Sequence, residues 1–568
     1  MSKYPKINDK DFYKKINILF SKFKIKNKRL TLNDICYPPK YKLQLPQQFV
    51  SNFMNPKTPY KSLLLFHQIG AGKTCAAISI AEQFKQKMNI LIVTPASLMG
   101  NFYKEIRSLC TDDEYIKDSD RNMLDNLKPS SRMYKDIIKK INKKIDKYYT
   151  IFSYNKFVEN INKKKVNLEN TLLVIDEVQN IVSENGTFYK TIYNFIKNKS
   201  YNNLRIVLLS GTPIFDRPSE IGLTLNLLNL NKEFPIGNKF NEIFLDNKRL
   251  DNGEILYKPK NLTKFKKMSK GLISYYIGAP PVSFPSKEIF IVNCKMSDYQ
   301  YKSYKTVATD EGPFRTGDIL KLPNNFFIGS RIISNIAFPK KEINKEGYDK
   351  LMKNDLMMSN LKMYSIKFYK ILKKIKKATG PVFVYSNFKE YGGLKSFIKV
   401  LEHHKFKNYK KYGEGCKRFA IWSGDEKHDF KEELKAVYNK KQNKNGELIK
   451  IILGSPAIKE GVSLLRVTEV HIMEPYWNFS RLNQVIGRAV RFCSHKDLIK
   501  SKRHVDIYIY IATHPEEEMT IDKYILNMAY KKNEIISKFE MALKESAIDC
   551  KLNYYGNVNK NHIIKCDK

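Results

Sequence analysis

Short apolar runs alternate with amphipathic stretches along most of this chain. Between about residues 40 and 230 the runs at 63–66, 90–93, 149–152, 172–175 and 206–209 are nearly all apolar. Strands buried on both faces of a parallel sheet need such continuous runs. The intervening segments have helical periodicity, so a doubly wound α/β lobe is predicted. Residues 231–365 break the rhythm: they are rich in Asn, Lys and Phe, and Pro280, Pro281 and Pro285 mark a turn. This stretch is predicted to be an inserted or linking subdomain, mostly helical. The alternation then resumes, with runs at 382–385, 419–422, 451–453, 469–473 and 507–511, which predicts a second α/β lobe.

The resulting division is a basic arm (1–40), a first lobe (41–230), the linking segment (231–365), a second lobe (366–515) and a basic, partly helical tail (516–568). A chain of 568 residues is too long for one core and agrees with several domains. No repeat with a period of 20–50 residues is evident. No apolar run is long enough to cross a membrane, and the first residues lack a signal peptide's apolar stretch, so no membrane partner is expected. Eight cysteines (36, 75, 110, 294, 416, 493, 550, 566) form no CxxC pair. That spacing predicts neither a zinc site nor a disulfide framework, and points to a reducing compartment.

Charge changes the picture more than composition does. A formal net charge of +44 attracts polyanions, which makes nucleic acid the natural partner. A codon bias towards Lys, Asn, Ile and Tyr accounts for part of the lysine count, so charge alone is a moderate argument. Residues 1–30 hold ten Lys/Arg against two Asp, with aromatics interleaved. They read as a solvated basic face ahead of a nucleic-acid arm.

Gly70-Ala71-Gly72-Lys73-Thr74 lies between an apolar strand and a helical segment. Glycines there let backbone N–H groups approach phosphates, Lys73 reaches the β- and γ-phosphates of ATP, and Thr74 holds Mg2+. His67 stands where such loops usually begin with a small residue; a packed or loop histidine is expected, not a ligand. About 100 residues on, an apolar strand runs into Asp176-Glu177. Asp176 would hold Mg2+ and Glu177 would activate the attacking water. Far downstream, Gln484, Arg488 and Arg491 form a cassette whose guanidinium groups suit charge developing on a transferred phosphoryl group.

Taken in order, these motifs resemble those of superfamily 2 helicases and translocases, over residues 40–515. The resemblance implies two RecA-like lobes and an ATP- and Mg2+-dependent hydrolase. It makes Gln48 an adenine reader, with Thr94-Pro95 on the strand being tracked. Ser210-Gly211-Thr212 then couples hydrolysis to movement. Ser386 lies in the fourth motif and Ser455 with Glu460-Gly461 in the fifth, and Gln484, Arg488 and Arg491 are the sixth. Gln179 departs from the Asp or His of the common helicase boxes and weakens a DEAD-box reading. Glu474-Pro475-Tyr476-Trp477-Asn478 and Met296-Ser297-Asp298-Tyr299-Gln300 resemble the Swi/Snf-like branch. Asn335-Ile336-Ala337-Phe338-Pro339 and Arg491-Phe492-Cys493-Ser494-His495 are similar to its viral members, which include the poxvirus nucleoside triphosphatase I and early transcription factor small subunit.

The expectation is therefore a nucleic-acid-stimulated ATPase that tracks on DNA, or on a transcription complex, during viral transcription. RNA is the second choice of track, and a viral RNA polymerase or transcription factor the protein partner. A cytoplasmic viral factory, with packaging in the virion, is the implied location. A duplex-unwinding RNA or DNA helicase is the first alternative; a non-hydrolysing transcription-factor scaffold is the second. Trp477 is expected in the core, and the lysines of 367–377 on a solvated or phosphate-facing helix.

Overall fold

The computed structural model describes residues 4–28, 30–39, 41–68, 70–129, 131–198, 200–251, 253–312, 318–320, 326–339, 344–459, 462–558 and 563–567. Two compact units emerge. The first comprises 1–250, 256–280 and 534–568; the second comprises 251–255 and 281–533.

The first unit is built on β1 (Ser62–His67), β2 (Asn89–Thr94), β3 (Tyr149–Ser153), β4 (Thr171–Ile175) and β5 (Arg205–Ser210). A short ladder follows, β6 (Leu245–Arg249) with β7 (Ile255–Pro259), and then β8 (Ile273–Tyr276). The main sheet has the order β3-β2-β4-β5-β1-β8 and is parallel throughout. Each expected apolar run of this lobe lies in one of its strands. The second unit holds β9 (Ser286–Lys295), β10 (Val382–Tyr385), β11 (Lys407–Asn408), β12 (Arg418–Trp422), β13 (Ile451–Gly454), β14 (Glu469–Ile472) and β15 (His504–Thr513). Their order is β11-β12-β13-β10-β14-β15-β9, again parallel. The chain is thus α/β, with a parallel sheet in each unit.

Three expectations need correction. Residues 231–365 do not stand apart: β8 completes the first sheet and β9 forms an edge of the second. The amino-terminal segment is not a solvated arm. Phe12, Tyr13, Ile16, Phe20 and Phe23 are buried in one cluster with Phe49, Phe53 and Tyr60, and the lysines lie between these anchors. Removing a buried phenyl group loses its transfer energy and leaves a cavity, so Phe12→Ala is expected to destabilise the first unit by about 3–5 kcal/mol in urea unfolding. A solvated arm would give almost no change.

Contrary to the expectation of no disulfide framework, disulfides are present. Cys75 is bonded to Cys110, and Cys550 to Cys566. The partners are 35 and 16 residues apart, so the fold brings them together and no short spacing announces them.

The carboxy-terminal tail belongs to the first unit. After the helix Ile521–Glu545, the Ile548 amide donates to the Ile273 carbonyl at 2.8 Å, and Asn557 Nδ2 donates to the Tyr275 carbonyl at 3.1 Å. The amide of Ile277 in turn donates to Asn557 Oδ1 at 2.9 Å. Residues 548–557 therefore cover the outer edge of β8, where exposed strand donors and acceptors would otherwise invite pairing.

Candidate nucleotide site and its supporting network

The phosphate loop leaves the end of β1 and enters the helix Lys73–Phe84. Gly70 and Gly72 have φ of 85° and 72°, values that L side chains resist. A side chain on Gly72 would also run into Gln47 Nε2, which donates to the Gly72 carbonyl at 3.2 Å. Gln47 is a residue the motif reading passed over; its neighbour Gln48 instead gives its amide to the Leu43 carbonyl at 2.7 Å. Ala71 is buried, while Gly70, Gly72, Lys73 and Thr74 are half-buried.

Asp176 and Glu177 follow β4. The Asp176 amide donates to the Val93 carbonyl at 2.8 Å, fixing where β4 ends. Glu177 is in the left-handed region at φ 49°, rare for a residue with a Cβ and consistent with strain held at a working position. Tyr154 braces this turn by donating its hydroxyl to the carbonyls of Asp176 and Glu177. Sequence spacing gives no hint of that role.

The side chains form one connected line. Lys73 Nζ is 3.2 Å from Glu177 Oε1. Glu177 Oε2 accepts from Gln179 Nε2. Gln179 Oε1 accepts from Ser210 Oγ at 2.6 Å, and Ser210 Oγ accepts from the Thr212 amide at 3.1 Å. Gln179, the departure from the common helicase boxes, is thus the bridge between the Asp-Glu turn and Ser210-Gly211-Thr212. An amide suits the task because it donates on one side and accepts on the other.

Asp176 is almost wholly buried. Burial, and then the charge of Glu177, push its carboxyl up to about 7, against the opposing pull of Lys73 and Thr94. Thr94 corrects an expectation. It is fully buried and turns its hydroxyl towards Asp176 at 3.3 Å, so it offers nothing to a tracked strand; Pro95 is buried as well. Ala96 and Ser97, which follow, are the exposed residues there.

In the second unit Ser386 and Ser455 are buried, and Glu460 and Gly461 lie outside the described residues. Ser386 Oγ donates to the buried Glu474 carboxylate at 3.0 Å, as does Asn335 Nδ2 at 3.0 Å. Asn335 Oδ1 accepts from Lys367 Nζ at 2.9 Å, and Lys367 pairs with Asp522 at 2.6 Å, both side chains fully buried. Lys367 therefore belongs to the interior, which corrects the view of its helix as wholly solvated or phosphate-facing. Asn335 and Glu474 are the polar centre of this unit. Trp477 is buried and stacks on Tyr476 at 3.8 Å.

Gln484 and Arg488 are buried, and Arg491 is half-buried. The two guanidinium groups converge on one acceptor: Arg488 Nη1 and Arg491 Nη1 donate to the Val462 carbonyl at 3.3 and 2.9 Å. Arg488 Nε also donates to the Gln484 carbonyl at 3.1 Å. Burial and the charge of Arg488 push Arg491 down to about 9. Two cations held this close repel, and an anion arriving beside them would relieve that repulsion.

Comparison with known proteins agrees with this geometry. The SNF2-related domain family matches residues 46–375, and the helicase conserved C-terminal domain family matches residues 366–493. A protein of Acanthamoeba polyphaga mimivirus, named an ATP-dependent RNA helicase, is 53% identical over 98% of this chain and 97% of its own length. A helicase of invertebrate iridescent virus 3 is 29% identical, over 91% of this chain and 54% of its own. An African swine fever virus termination factor NPH-I homolog is 27% identical over 87% of this chain and 77% of its own.

Proposed function

The chain belongs to the SNF2-related family of superfamily 2 helicases, in its viral branch, and is an ATP-hydrolysing enzyme; from that premise we propose that nucleic acid drives its turnover and that DNA, free or within a transcription complex, is its track. The observation that carries this reading is the continuous line Lys73–Glu177–Gln179–Ser210–Thr212. It ties the groups that would meet the γ-phosphate and the attacking water to the loop after β5. Hydrolysis and backbone movement can communicate along such a line.

The donor set fits a hard divalent cation. Thr74 supplies a hydroxyl oxygen and Asp176 a carboxylate, the oxygen ligands that Mg2+ prefers. Asp176 and Glu177 form a crowded acidic pair that a dication would neutralise. Mg2+ held there would neutralise charge on the nucleotide phosphates. Glu177 would accept the proton of the attacking water, and Lys73 would exchange its contact with Glu177 for a phosphate. Gly70, Ala71 and Gly72 would offer the phosphates their backbone, and Gln48 would read the base. Arg488 and Arg491, with Gln484 beside them, are the cations assigned to the transition state. On the tracked strand we place Glu460 and Gly461, with Ser97 in place of Thr94; Ser386 and Ser455, buried as Thr94 is, we place in the coupling between hydrolysis and movement.

The termination-factor relative favours a role in viral transcription beside a viral polymerase or transcription factor. The name of the mimivirus relative favours a second reading, an RNA helicase that unwinds duplexes. Location in a cytoplasmic factory and in the virion rests on the resemblance alone; immunoblotting of purified particles tests it. The deciding experiment is steady-state ATP hydrolysis alone and with single-stranded DNA, duplex DNA or RNA at one fixed salt concentration, since charge-driven binding varies steeply with salt. Stimulation by DNA and not by RNA is the expected result. Stimulation by RNA, with displacement of a labelled strand, would replace the proposed reading with the second.

A further inference from the structure

A line of buried polar groups runs from the strand that feeds the phosphate loop to the carboxy-terminal segment. His67, fully buried at the end of β1, places Nε2 2.9 Å from Ser274 Oγ on the neighbouring β8. Ser274 Oγ donates to Asp549 Oδ2 at 2.6 Å. Asp549 also accepts from the Tyr275 amide at 2.9 Å and from Asn553 Nδ2 at 2.9 Å. None of these residues has a part in the proposed hydrolysis.

Hydrogen counting fixes the direction of the line. Burial pushes the Asp549 carboxyl up to about 7, so at pH 8.5, where the variants below are compared, it is ionised. A hydroxyl has one proton, and Ser274 then gives it to a carboxylate that has none to return. Ser274 therefore meets His67 with lone pairs only, and His67 must donate from Nε2. Burial and the charge of Lys73 hold the imidazole far below its usual range, at about 3, so it is neutral and Nδ1 carries a lone pair. Nδ1 is itself buried and has no hydrogen-bond partner among the described residues. The other tautomer would set a proton there with no acceptor among those residues and turn the Nε2 lone pair against Ser274.

The same elements carry the floor of the loop. The Gln68 amide donates to the Tyr276 carbonyl at 3.0 Å, and the Ala71 amide to the Gln68 carbonyl at 3.0 Å. Gly278, just past β8, lies so close to Ala71 that a side chain on it would touch Ala71 Cβ at 3.4 Å. The Tyr276 ring packs edge-on against His67 at 6.0 Å.

We propose that Asp549, acting through Ser274, is a positioning residue for the phosphate loop: it fixes His67 as the Nε2–H tautomer and so sets the pose in which Gly70 to Thr74 receive the phosphates. This rests on the ATPase reading, which wild-type turnover in the same assay tests separately.

Asp549→Asn is the informative change. With its remaining oxygen held by the Tyr275 amide, its NH2 faces both Ser274 and Asn553, and the Asn553 amide must turn its oxygen to meet it. The hydroxyl must then turn to His67, and the imidazole must carry its proton on Nδ1. The 15N shifts of the His67 ring nitrogens are expected to exchange between wild type and variant. The KM for ATP is expected to rise about tenfold, the effect of one misdirected buried hydrogen bond, with kcat within about twofold. Ser274→Ala, which cuts the line without adding a donor, is expected to raise KM in the same way. A switched tautomer with KM within about twofold of wild type overturns the proposal, as does an unchanged tautomer. If Asp549→Asn does not fold, Ser274→Ala decides by KM. If both unfold, the trio is only structural and the proposal falls.

Discussion

Glu177→Gln is expected to keep its nucleotide and lose turnover by about a thousandfold, within the usual range for removal of a general base. The substitution keeps the shape of the side chain and removes only its ability to take a proton. The left-handed backbone of residue 177 and the Tyr154 brace do not depend on the carboxylate charge. Gln179 would still meet an oxygen after a flip of the new amide. Lys73 loses its present partner at 3.2 Å, however, and is then wholly available to phosphate. ATP affinity is therefore expected to match or exceed that of wild type. Equilibrium binding of a fluorescent ATP analogue, with single-turnover hydrolysis alongside, checks both halves. Wild-type turnover from this variant would remove Glu177 from its role.

Lys73→Ala is expected to fail twice over. Loss of a preorganised cation at the transferred phosphate costs about 100- to 1,000-fold in turnover, with weaker binding besides. A second loss follows from the acidic pair. Lys73 is one of the groups that hold the Asp176 carboxyl down at about 7. Without it Asp176 titrates higher and is largely protonated at neutral pH, where a protonated carboxyl is a poor cation ligand. The variant should therefore need more Mg2+ than wild type for any residual binding, and the deficit should shrink as pH rises. Magnesium titrations of nucleotide binding at pH 7 and pH 9 test this. A pH-independent deficit would show that Lys73 acts on the phosphates alone.

The sheets were legible because their strands are buried on both faces. Leu63 to Phe66 and Leu172 to Ile175 contain nothing polar, and a run of that kind has few other places to go. β9 was missed for the opposite reason. It is an edge strand, and Lys287, Glu288, Ile289 and Ile291 are largely exposed, so its sequence reads as a mixed surface segment. β8 has only four residues and depends on a covering segment from far along the chain. Lys73, Asp176 and Glu177 announced themselves because chemistry constrains their spacing. Gln47, Tyr154 and Asp549 did not, since each acts through a tertiary contact that no local pattern encodes. Phe12 and Phe20 were hidden by the lysines around them. Net charge describes the solvent side of a helix and says nothing of its other face.

The covered edge of β8 also gives biosynthesis an order. The phosphate loop leaves the ribosome early, while 548–557, which complete the sheet beside it, emerge after the whole second unit has been made. At about 5–20 residues per second, that interval is on the order of tens of seconds. Through that time the outer edge of β8 is unpaired and Ser274 has no carboxylate to hold. A nascent chain, or one cut short within the second unit, would carry every nucleotide motif of the first unit and still lack the brace behind its loop. The brace proposed for Asp549 would thus reach the phosphate loop only once the second unit has been synthesised.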